Sequence, residues 1–88
     1  MILKIASIHD AKAEAWLSPM FFQSNGQAIR SFADTVNNSE SELGKHPEDY
    51  TLLELGEFNQ RTGALEVSKA PLALGTGINL VVQKELEL

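Results

Sequence analysis

The sequence predicts an α+β fold: an antiparallel β-sheet with one amphipathic helix packed across it, in the order β-β-α-β-β plus a C-terminal strand. Three observations carry this expectation. Ala28, Ile29, Phe32, Ala33 and Val36 fall at helical spacing and form one apolar stripe. Runs rich in β-branched, aliphatic and aromatic residues lie on both sides of it. Between two of those runs, Asn59-Gln60-Arg61-Thr62-Gly63 fits a hairpin loop, with Gly63 available for positive φ.

Residues 2–8 (Ile-Leu-Lys-Ile-Ala-Ser-Ile) read as the first strand, and His9-Asp10-Ala11-Lys12-Ala13 is polar enough to connect it onward. Residues 15–23 read as a second strand. Pro19 removes a backbone donor there, so the strand belongs at a sheet edge or carries a bulge. Ser24-Asn25-Gly26-Gln27 matches a capping box, with Asn25 as an alternative cap, and the helix is expected from Gln27 to Asn37. Arg30 and Asp34 sit one turn apart on its polar side, a pair worth ~0.3 kcal/mol. A helix of about three turns does not hold itself together in water, so its stripe must lie on a sheet.

Residues 38–47 read as a polar connection in which Leu43 is the only large apolar residue. His46 precedes Pro47 and is biased to extended backbone. Residues 50–58 read as the third strand, with Leu53 and Leu55 on one face and Tyr50, Leu52 and Phe58 on the other. Glu54 shares that second face and should be partly buried. Ala64-Leu65-Glu66-Val67 alternates and returns as the fourth strand. Residues 72–77 are apolar but broken by Gly75 and Gly77. Residues 78–82 have strand character again and lead into a charged end. Residues 1–77 thus read as one domain. Residues 78–88 read as a strand or tail, either exchanged with a neighbouring subunit or pairing with it. The helix stripe and the faces of Leu3, Ile5, Leu53, Leu55, Leu65 and Val67 are the expected core.

Eighty-eight residues bury only about 60–65 % of the surface the unfolded chain exposes. Without cysteine, no disulfide or thiolate metal site can staple the fold, so a homodimer is the expected way to enlarge the core. Seven basic against twelve acidic residues give a net charge of -5. No basic run exists, which argues against strong non-specific nucleic-acid binding by one chain alone. No secretory h-region and no apolar stretch of roughly 20 residues is present, so a cytosolic protein with no membrane partner is expected.

Chemistry-bearing clusters are few. His9 with Asp10, and His46 with Glu48 and Asp49, are the His–carboxylate groups, and neither has paired-ligand helical spacing. Ser18 and Ser24 lack a nucleophile-elbow context. Gly75-Thr76-Gly77 is too short for a phosphate cradle. The reading is therefore a non-enzyme, with no catalytic residue, no metal and no cofactor. Exposed aromatics beside cations would suit unpaired bases. Trp16, Phe21 and Phe22 share one strand, and adjacent Phe21 and Phe22 must face opposite ways.

Two blocks of the chain, residues 25–37 and 45–63, resemble a known family. Its pieces are Asp10, Ala28-Ile29-Arg30-Ser31-Phe32, His46-Pro47-Glu48-Asp49-Tyr50, the run from Leu52 to Phe58, and Thr62-Gly63. In this order they resemble the small nonstructural protein of gokushovirus-type microviruses, phages with circular single-stranded DNA. The resemblance covers most of residues 1–75. It implies a non-virion protein of the host cytoplasm, acting in the switch from duplex replication to single-strand production and packaging, with DNA binding often attached. It supplies no catalytic residues. Direct contact with single-stranded DNA would fall to Lys4, Lys12, Arg30, Lys45, Arg61 and Lys69, with Trp16 and Phe21 as stacking faces. The alternative is an acidic adaptor that recruits a phage replication or capsid protein by β-strand addition, without touching DNA.

Overall fold

The computed structural model describes residues 1–81. One antiparallel sheet of five strands carries the fold: β1 Ile2–Asp10, β2 Ala15–Trp16, β3 Met20–Phe22, β4 Tyr50–Asn59 and β5 Leu65–Thr76. Helix α1 spans Asn25–Val36, and two single-turn helices follow, α2 Glu42–Lys45 and α3 Gly77–Leu80. A 3-10 turn at Pro47–Asp49 leads into β4. β1 and β4 are central. β2 and β3 both pair with β1 and together make one edge, while β5 makes the other.

Four expectations change. The second strand is interrupted: Leu17, Ser18 and Pro19 bow out between β2 and β3, because Pro19 has no N–H for the ladder. The Ser7 hydroxyl donates to the Leu17 carbonyl inside that bow. The polar connection after α1 contains α2, whose Ser41 hydroxyl accepts from the Gly44 N–H at 2.9 Å and whose Leu43 is buried. The fourth strand runs on through Pro71 and Gly75 to Thr76, so Gly75-Thr76 belongs to the ladder. Residues 77–80 form α3 instead of a further strand, started by the Thr76 hydroxyl accepting from the Asn79 N–H at 3.2 Å. Residues 82–88, and with them the rest of the expected tail, lie outside the described residues.

Helix α1 begins earlier than Gln27. The Ser24 hydroxyl accepts from the Gln27 N–H at 3.1 Å, and Gln27 Oε1 accepts from the Gln23 N–H at 2.7 Å. Together these ties satisfy two donors at the helix start. Ala28, Phe32 and Val36 are buried, while Arg30 and Asp34 are exposed and form no ion pair among the described residues.

The face that α1 covers is not the expected one. The cluster beneath it is Ala6, Ile8, Leu43, Tyr50 and Leu52, with Phe22, Leu74 and Leu80 packed against it. Ala6 and Ala28 are both fully buried, and two such small side chains let the helix approach the sheet closely. Leu3, Ile5, Leu53, Leu65 and Val67 hold the opposite face. A bulge explains part of the inversion. β1 pairs Ala6 with Glu54 but Ile5 with Gly56, so Leu55 is an extra residue in β4 and the alternation resets after it. Phe58, expected beside Tyr50 and Leu52, is thereby turned to the outer face, across from Leu3 and Leu65.

Candidate functional site

The most distinctive surface is the outer face of the sheet. Residues paired across antiparallel strands share a face. The ladder therefore places Trp16 beside His9, Phe21 beside Ile5, Phe58 between Leu3 and Leu65, Val67 across Gly56 from Ile5, and Leu53 beside Ser7. Trp16 meets His9 edge-on with ring centroids 5.0 Å apart, and Phe21 meets Phe58 edge-on at 5.5 Å. Trp16, Phe21, Leu65 and Val67 remain 47 %, 50 %, 60 % and 70 % exposed. Ile5 is buried on this same face yet stands apart from the cluster under α1, held by its outer-face neighbours.

Polar partners concentrate on the other side. Lys4 pairs across the ladder with Phe22 and Glu57, so it lies on the helix side beyond the end of α1. Its Nζ donates to Glu57 Oε2 at 2.7 Å and lies 3.9 Å from Glu54 Oε2. That hydrogen bond to Glu57, with the fields of both carboxylates, raises the Lys4 pKa above the ordinary lysine value against the opposing effect of burial. Asn25 Nδ2 donates to Glu54 Oε1 at 2.7 Å, tying the first residue of α1 to β4.

The other cations are dispersed. Lys12 sits in the turn after β1, Arg30 on α1, and Lys45 on α2, 3.9 Å from Glu42. Arg61 lies in the β4–β5 turn, and Lys69 in the stretch of β5 that bows out opposite Leu55. Among the described residues, no cation occupies an outer-face ladder position beside the aromatics. Of the eight residues nominated for DNA contact, Trp16 and Phe21 share a face, and the six cations do not join them there.

His46, Glu48 and Asp49 come together, with one donor atom from each lying within 4.8 Å of the others. Pro47 at the start of the 3-10 turn folds these near neighbours onto one side, a local effect that residue spacing did not reveal. The group is largely exposed and His9 is not part of it. Next to it, Tyr50 is buried as a residue, with Asp10 near its hydroxyl. Burial of the ring, then the charges of Asp10, Glu42 and Asp49, raise its pKa above 10.0. A mostly apolar cavity of about 380 Å³ lies between α1 and the bowed 17–22 segment, walled by Leu17, Met20, Phe22, Phe32 and Leu43.

No helix among the described residues is long and apolar enough to cross a membrane. No curated protein and no solved structure matches the chain. The family model described as Phage ORF5 protein matches residues 3–80, from the second residue of β1 through the last residue of α3. Apart from Ile2, every helix and strand above lies within that match, and the chain belongs to the phage ORF5 protein family.

Proposed function

We propose that this phage protein is a non-enzymatic, nonstructural accessory of single-stranded DNA replication and packaging in the host cytoplasm, and that it works as an acidic adaptor. Membership of a phage family and the resemblance to the gokushovirus-type nonstructural proteins support the setting. The observation that carries the adaptor mode is the open β5 edge. Among the described residues β5 pairs with β4 alone, and it is exposed throughout residues 65–73. A partner strand added there gains main-chain hydrogen bonds without needing complementary charge. A replication initiator or a capsid precursor of the phage is the partner class.

A second reading, direct contact with single-stranded DNA, is favoured by the exposed rings of Trp16 and Phe21. Stacking on such rings is worth about 1–3 kcal/mol per base, but affinity also draws on nearby cations. The six nominated cations must then converge between subunits.

One titration series separates the two. Labelled single-stranded DNA at low salt, and separately the purified phage initiator and empty capsid precursor, are titrated with the full chain. The adaptor mode is expected to give saturable binding to one protein and no salt-dependent retention of DNA. DNA affinity that falls steeply with salt and is lost in Trp16→Ala would establish the second mode instead. Binding to none of these ligands would overturn both.

A further inference from the structure

We infer that the outer face of the sheet is a self-association surface, packing face to face against the same surface of a second copy. This goes beyond the adaptor reading, which uses the β5 edge, and does not depend on it. Three observations argue for a second copy as the occupant.

The first is charge. The chain carries -5, so two copies repel over most of their surfaces. Among the described residues, the ladder puts Lys4, Asp10, Glu54, Glu57 and Glu66 on the helix side, and no Asp, Glu, Lys or Arg at an outer-face ladder position. An acidic or basic partner would bury its own charge against this face without compensation. A copy of the same face brings none.

The second is area. From their fractional exposures, Trp16, Phe21, Leu65 and Val67 offer roughly 400 Å² of apolar surface per copy, and half-buried Leu53 and Phe58 add to it. Doubled across a twofold axis, this reaches about 1,000 Å², the lower end of specific interfaces.

The third is Ile5. It is 7 % exposed on a face no helix covers, already enclosed by neighbours that include the paired rings of Phe21 and Phe58. The outer face is thus half of a second core. Sheets packed about 10 Å apart complete such a layer with side chains from both inner faces.

Sedimentation equilibrium of the full chain, from about 10 to 500 µM, tests this. The expected result is a monomer–dimer equilibrium for the native chain and for Arg30→Glu, a charge change on the helix. Val67→Glu and Leu65→Lys, at sites already more than half exposed, should weaken dimerisation at least tenfold with the circular-dichroism spectrum unchanged. Either variant suffices if the other fails to fold. A native chain that stays monomeric over the whole range overturns the inference. So does a dimer that survives both substitutions, which would place self-association at the β5 edge or elsewhere.

Discussion

At the scale of single residues, Tyr50 joins core and surface. Its ring belongs to the cluster under α1, and its hydroxyl lies against Asp10 in an acidic corner. The folded chain therefore holds the phenol proton more tightly than the unfolded chain does. Stability from this group is fully present below pH 10 and is lost as pH rises through the elevated folded value, because the unfolded state there binds fewer protons. Lys4, also raised, acts in the same direction. Urea unfolding of the native chain should therefore show a falling midpoint above about pH 10. Tyr50→Phe should make the alkaline decline shallower, because the group that loses its proton is gone. An equally steep decline in the variant would show that Tyr50 is not the group responsible.

At the scale of elements, the bulge in β4 governs which side chains face where. Gly56 follows the extra Leu55, and the β5 backbone at Glu66 and Val67 lies so close that a Cβ at position 56 would collide with the Glu66 carbonyl. Gly56→Ala should cost about 1–3 kcal/mol in chemical denaturation, since relief requires moving backbone. A neutral effect would mean that the strands are farther apart than described here.

The same element shows what the sequence could and could not convey. An antiparallel sheet with a helix was legible, as were the approximate places of α1, β1 and β4, because an apolar stripe at helical spacing and alternating runs each have a local cause. The caps were legible as well: Ser24 and Gln27 act within four residues of one another. The choice of sheet face was not. Both faces of β1 and β4 are apolar, Ala6 and Ile8 against Leu3 and Ile5, so a period of two cannot say which one the helix covers. The larger residues suggested a core at Leu53, Leu65 and Val67. The helix instead took the face with Ala6, where it can approach more closely. Strand character at residues 78–80 gave way to α3, whose Leu80 packs against the core and whose carbonyl accepts from Asn37 Nδ2 at 3.2 Å.

At the scale of the whole molecule, the sheet is asymmetric in what it presents. Among the described residues, one side is closed by α1, α2 and α3, and the ladder positions of the other carry aromatic and aliphatic side chains and no Asp, Glu, Lys or Arg. The candidate site was legible only in fragments: Trp16 and Phe21 could be nominated as exposed rings, but their company with Phe58, Leu65 and Val67 depends on register and on the Leu55 bulge. The scattered cations were visible from the start, and folding does not gather them beside those rings. An acidic chain with one uncharged apolar face and one open strand edge is suited to assembly, and the proposed role in phage DNA replication and packaging uses it in that way.

The most direct test of this asymmetry compares two truncations by urea unfolding, at a concentration low enough for the chain to be monomeric. Leu52→Ala, under α1 and fully buried, should lower stability by about 2–5 kcal/mol. Val67→Ala, on the open face, should change it by no more than about 0.5 kcal/mol. A large loss at Val67 with little at Leu52 would mean that the helix covers the other face of the sheet.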